Sequence, residues 1–153
     1  MPRRDAAKFA LDTSCLVALL AGWHPRHRET AADYDARVNG GERPVVAGHA
    51  LLECFSVLTR LPAPLAASPA SVEQVLSGFL SGGVEVAEMS AAACRLSISV
   101  LARRGLGGGR IYDAIIALCS FQAGAAVLLT WNLSHFLSVA PPGLAVTEPG
   151  GGG

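Results

Sequence analysis

The stretch Gly107-Gly108-Gly109-Arg110-Ile111-Tyr112-Asp113-Ala114-Ile115-Ile116-Ala117-Leu118 decides the fold. A glycine-rich loop opens a helix in which almost every position after Arg110 is apolar or small. A helix apolar on all sides belongs in the middle of a domain. Asp113 nevertheless stands in its first turn. A lone carboxylate is costly there, because buried charges are paired or bound to metal. The helix dipole and its free N–H groups offer one partner. Convergence with other acids of the chain offers another.

Outward from this helix, short apolar runs alternate with helical segments. Gly124 breaks the central helix, and residues 125–130 read as a strongly apolar strand. A short helix over 133–137 and a last strand over 144–146 follow. On the N-terminal side, Lys8-Phe9-Ala10-Leu11 reads as the first strand, followed by a helix over 15–21. A second helix opens near Pro25 and runs to about Val38. Strand 44–47 then leads into a helix from about Gly48 to Leu61, stopped by Pro62 and Pro64. Ser68-Pro69 caps a helix reaching about Leu80. A strand over 84–87 and a helix from Ser90 to Arg103 complete the order. Strands alternating with helices imply a parallel sheet covered on both faces. The continuous, non-alternating apolar strands fit burial on both sides. The expectation is one α/β domain over residues 1–147, with a flexible Gly-rich tail over 148–153.

The 153 residues suffice for one domain with a real core. Half the residues are hydrophobic (51%), 16% are charged, and the net charge is zero. The molecule as a whole therefore has no strong field for nucleic acid or membrane, and any grip on an anion is local. Eleven of the twelve basic residues are arginine, which suits bidentate phosphate contact and equally suits a GC-rich genome. No uninterrupted apolar run reaches the ~18 residues of a membrane span, and the start of the chain lacks the apolar run of a secretion signal. Cys15, Cys54, Cys94 and Cys119 form no Cys-x-x-Cys pair. They read as buried reduced thiols in helices of a cytoplasmic protein.

In parallel α/β folds the functional site lies beyond the C-terminal ends of the strands. Asp12 follows the first strand directly. Asn132 comes two residues after the strand ending at Thr130. Asp113 opens a helix at the same edge, and Glu53 lies about one and a half turns into a helix entered from it. Clustered carboxylates repel, and one protonates unless a cation sits between them. A hard divalent ion resolves the conflict with oxygen ligands and retained waters. Each residue also has a plainer role open to it. Asp12 could be only a helix cap, as Thr13 or Ser14 could be. Glu53 with Ser56 and Arg60 makes a polar strip of the kind a solvated helix face shows. Asn132 could be a turn residue, and His135 is expected to pack beside Phe136. His24 and His27 read as loop histidines, and His49, near the start of its helix, could lie close to the site.

Four segments in order resemble the PIN-domain ribonucleases, and most closely the toxin subunits of bacterial VapBC-type toxin–antitoxin pairs. They are Phe9-Ala10-Leu11-Asp12-Thr13-Ser14, Leu52-Glu53-Cys54-Phe55-Ser56-Val57-Leu58-Thr59-Arg60, Ile111-Tyr112-Asp113-Ala114-Ile115-Ile116-Ala117, and Leu129-Thr130-Trp131-Asn132-Leu133-Ser134-His135-Phe136. The resemblance implies a three-layer α/β/α domain and a Mg²⁺- or Mn²⁺-dependent endoribonuclease. Asp12, Glu53 and Asp113 would be its catalytic acids, with Asp12 and Asp113 binding metal directly or through water. Glu53 would be a ligand or would help deprotonate the attacking water. The family often has a fourth acid where this chain has Asn132, which supplies no charge. Thr13 and Thr130 would be supporting hydroxyls, and Arg110 a phosphate clamp or a solvated helix-start arginine. The resemblance also implies an antitoxin seated on apolar helix surface near Leu16, Leu19, Leu20, Phe55 and Leu58, and a homodimer. Two other readings of the residues are a non-catalytic PIN-like module that binds RNA or protein, and a housekeeping nuclease.

Overall fold

The computed structural model describes residues 5–151; the first four residues and the last two lie outside it, with that part of the N-terminal and tail expectations. Twelve elements follow in order: β1 (Lys8–Leu11), α1 (Thr13–Leu20), α2 (His27–Asn39), β2 (Arg43–Ala47), α3 (Gly48–Arg60), α4 (Pro69–Ser81), β3 (Glu85–Ala87), α5 (Ala91–Arg103), α6 (Arg110–Gln122), β4 (Ala125–Leu129), α7 (Leu133–Leu137) and β5 (Ala145–Thr147). All five strands are parallel, in the order β3-β2-β1-β4-β5. Helices cover both faces, which makes the three-layer α/β/α domain.

The central strands are the buried ones. Phe9, Ala10 and Leu11 of β1 and Val45 and Val46 of β2 are fully enclosed. The short outer strands β3 and β5 are only partly covered. The continuous apolar runs thus report position in the sheet, as burial on both faces requires.

Local chemistry sets the element ends. Ser68 and Ser90 cap α4 and α5, each accepting a backbone N–H three residues on. Gly124, with φ of +92°, turns the chain from α6 into β4 in a conformation a β-carbon would strain. One expectation is corrected. α6 is not enclosed on all sides: Ala114, Ile115, Ile116 and Ala117 are buried, while Tyr112 and Phe121 face outward. The tail is tethered as far as Gly150, whose N–H donates to Asp33 Oδ2 at 2.6 Å. The four cysteines are free; three are buried and Cys94 is half-buried. Among the described residues no helix is long and apolar enough to cross a membrane.

Candidate active site

The strand order reverses direction beside β1. From β1 the chain builds outward through β2 and β3, and on the other side through β4 and β5. The crevice at such a reversal, beyond the strands' C-terminal ends, is where open α/β sheets bind ligands. Leu11 of β1 is in register with Leu129 of β4. The next residue of each strand is therefore a neighbour of the other, and those residues are Asp12 and Thr130.

Asp12 is 1% exposed, yet carries a carboxylate. Thr130 Oγ1 donates to Asp12 Oδ2 at 2.6 Å, and the Cys15 N–H donates to Oδ1 at 2.8 Å. Ser14 Oγ lies 2.7 and 2.9 Å from the two oxygens and accepts the Trp131 N–H at 2.9 Å. Asp12 is thus both the cap of α1 and a fixed member of the site, and the two roles use one geometry. Burial, reinforced by the charge of Asp113, pushes its carboxyl up to about 6 against these donors. Thr130 is held in turn, accepting the Asn132 N–H at 2.9 Å.

Glu53 reaches the same rim from α3. It is half-buried, with Oε1 2.9 Å from His49 Nε2, one helical turn earlier. That oxygen is enclosed and finds no hydrogen-bond donor of proper geometry, and the same holds for Thr13 Oγ1. Burial and Asp113 raise the Glu53 carboxyl, while His49 opposes them. Asp113 is also raised by burial, opposed by His135, Arg110 and His49. Asp113 thus bears on both Asp12 and Glu53. Thr13, Ser14, His24, Glu53, Trp131 and Asn132 line a cleft of about 410 Å³.

The remaining predicted positions divide. Arg110 is exposed, and its Nη1 donates to Ser138 Oγ at 3.2 Å. Asn132 stands at the start of α7, exposed, without capping it through its side chain. His135 does not pack with Phe136: Phe136 is buried, while His135 turns outward with Nδ1 3.9 Å from Asp113 Oδ2. Of the expected apolar surface, Leu16 and Leu58 are spent in the core, and Phe55 remains open. Two site residues carried no strong sequence signal. His49 has one that could be read, its i,i+4 spacing to Glu53. Ser14 has none, because its role depends on Trp131, 117 residues away.

The donor set suits a hard divalent cation. It offers the carboxylate oxygens of Asp12, Glu53 and Asp113, each disfavoured as a charge by burial. Among the described residues no three acidic, histidine or cysteine side chains close on one point. Mg²⁺ is commonly held by one or two carboxylates and keeps several waters, so a tight cage is not required.

A PIN-domain family model matches residues 9–137, and the chain belongs to the PIN-domain family. Ribonuclease VapC40 of Mycobacterium tuberculosis is 36% identical over 121 residues, covering 78% of this chain and 84% of that protein. Ribonuclease VapC27 of the same organism is 32% identical over 114 residues, covering 74% and 77%. Among solved structures, the sarcin-ricin loop cleaving toxin VapC20 of M. tuberculosis superposes with a TM-score of 0.68 at 16% identity, covering 87% of this chain and 96% of that one. VapBC2 from Rickettsia felis, bound to a promoter DNA fragment, gives 0.66 at 19% identity, covering 92% and 98%. At such identities the structural likeness is one of fold.

Proposed function

We propose that this chain is a Mg²⁺- or Mn²⁺-dependent endoribonuclease acting as the toxin of a toxin–antitoxin pair. The observation that carries the reading is Asp12: a buried, strongly held carboxylate at the sheet's reversal point, sharing its rim with Glu53 and Asp113. Its position in a chain 36% identical to a protein named a ribonuclease supports RNA as substrate.

Asp12 and Asp113 would hold the cation, and Glu53 would hold it or serve as the base. When bound, the cation neutralises the facing acids and polarises a phosphoryl oxygen of the substrate. The protein's own part is positional. Ser14, Thr130 and the Cys15 N–H fix both oxygens of Asp12. Glu53, with a carboxyl raised by burial and its Oε1 held 2.9 Å from His49 Nε2, would accept a proton from a water attacking in line. Thr13 and Asn132 border the cleft as supporting groups. Arg110, one helical turn before Asp113, would engage a phosphate.

Leu52 and Phe55, exposed at i and i+3 on α3, offer an apolar strip for a cognate antitoxin segment. A homodimer and a cytoplasmic location belong to the same reading, the latter supported by four free thiols. The nuclease unit would span residues 1–147, with 148–153 an appendage.

The test is cleavage of a structured RNA by purified protein with Mn²⁺ or Mg²⁺. Activity should appear with the ion, vanish with chelator, and be lost in Asp113→Asn. Absence of cleavage, or cleavage surviving Asp113→Asn, overturns the assignment in favour of a non-catalytic module. Expression should arrest growth, with relief by Asp12→Ala or by an antitoxin encoded beside it. No arrest would favour a housekeeping nuclease.

A further inference from the structure

Beside the acids lies a pair of stacked rings that no step above uses. The His49 and Tyr112 rings are 4.9 Å apart and within 6° of parallel. Tyr112 precedes Asp113 in the chain, and His49 touches Glu53. The pair therefore spans from one acid to the next. Tyr112 is 53% exposed although His49 covers one of its faces, so the remaining face and edge are open. Behind the rings runs a groove of about 350 Å³, walled by Met89, Cys94, Ile98, Ile111 and Ile115.

We propose that these rings and the groove behind them form a nucleobase subsite, taking an unpaired base of the RNA beside the phosphate presented to the acids. The proposal rests on the ribonuclease reading above. His49 both lines the groove and lies 2.9 Å from Glu53 Oε1, so the groove adjoins one of the acids. His49 stacks on Tyr112, lies 2.9 Å from Glu53 Oε1 and acts on the Asp113 carboxyl, so a base on the rings belongs to a nucleotide near the phosphate at the acids. Tyrosine and histidine rings are the surfaces on which proteins stack splayed single-stranded bases. Such stacking tolerates any base, because every base has a π-face. Apolar walls add shape without hydrogen-bond readout. A base paired in a duplex does not reach the groove, so the subsite selects loops and single strands.

The experiment compares wild type, Tyr112→Phe and Tyr112→Ala on an oligoribonucleotide carrying 2-aminopurine at the nucleotide flanking the mapped cut. Tyr112 is exposed, so neither change threatens the fold. Tyr112→Ala should raise KM about tenfold, from the loss of one stacked base, and lower kcat by less than that, through the freed His49 ring. Tyr112→Phe should behave as wild type. In an Asp12→Asn background, where the strand stays intact, binding should quench 2-aminopurine, and Tyr112→Ala should abolish the quenching. An unchanged KM in Tyr112→Ala, or unchanged quenching, overturns the subsite while leaving the nuclease standing. A dimer that becomes monomeric in Tyr112→Ala by sedimentation also overturns it, since the rings would then lie against a second subunit. A wild type that cleaves nothing fails the ribonuclease reading, and the subsite falls with it.

Discussion

Thr130 Oγ1 donates a 2.6 Å hydrogen bond to Asp12 Oδ2 across 118 residues of chain. The bond joins the ends of two adjacent parallel strands and favours the ionised form of an otherwise disfavoured carboxylate. Thr130→Val removes the donor and keeps the shape. The Asp12 carboxyl should then rise further, and the acid limb of the pH–rate profile should move to higher pH. The variant should also lose about 1–3 kcal/mol, because the Asn132 N–H loses its acceptor as well. Chemical denaturation checks the second effect. An acid limb that stays in place would show that Asp12 does not govern it.

Asp12→Asn should raise the stability of the metal-free protein while abolishing cleavage. The carboxyl sits near 6 in the folded chain against an ordinary value of 3.8. The folded state therefore binds a proton more tightly than the unfolded one. Wild-type stability falls as pH climbs from about 4 to about 6 and stays lower above that. Asparagine removes the penalty, worth about 1–3 kcal/mol, or a few degrees in Tm at pH 7.5 with chelator present. Added Mn²⁺ should raise the wild-type Tm and leave the variant's unchanged. A variant melting below wild type would mean the buried charge costs less than its hydrogen bonds return.

Asp12 was legible in the sequence because a strand end fixes where its residue goes. Glu53 was not legible by spacing. With Ser56 and Arg60 it draws the outline of a solvated strip, and Arg60 is indeed exposed. What lifts Glu53 from that strip is tertiary: α3 starts at the end of β2 and carries His49 beneath it. The apolar run of α6 misled in the opposite direction, since Tyr112 and Phe121 are aromatic without being enclosed. Periodicity reports which side chains can be buried, and only packing decides which are.

His49→Gln should impair catalysis without unfolding the protein. The imidazole lies 2.9 Å from Glu53 Oε1 and opposes the rise of that carboxyl. Its loss should lower kcat about 10²-fold, within the range for a perturbed acid–base group. Binding of an uncleaved RNA should weaken as well if the rings with Tyr112 contact a base. Wild-type kinetics in His49→Gln would remove it from the site.

Salt should weaken RNA binding only moderately. With zero net charge the chain offers few phosphate contacts, and each neutralised phosphate of a single strand contributes a slope of about −0.7 in log K against log salt. Arg110→Ala should reduce that slope by about this amount. An unaltered slope would leave Arg110 as a solvated arginine bonded to Ser138.

Leu52→Arg should spare RNA cleavage and stability, since that side chain is 69% exposed. It should weaken the antitoxin complex at least tenfold by calorimetry if α3 carries an anchoring contact. Unchanged affinity would move the antitoxin to another face.

The candidate site joins residue 12 to residue 130, with Asp113 between them in sequence. A ribosome making this chain delivers Asp12 early and Thr130 near the end of translation. Strand β1 lacks its β4 neighbour until then, and the Asp12 carboxylate lacks the donor that orients it. The candidate site is therefore incomplete until nearly the whole polypeptide has emerged.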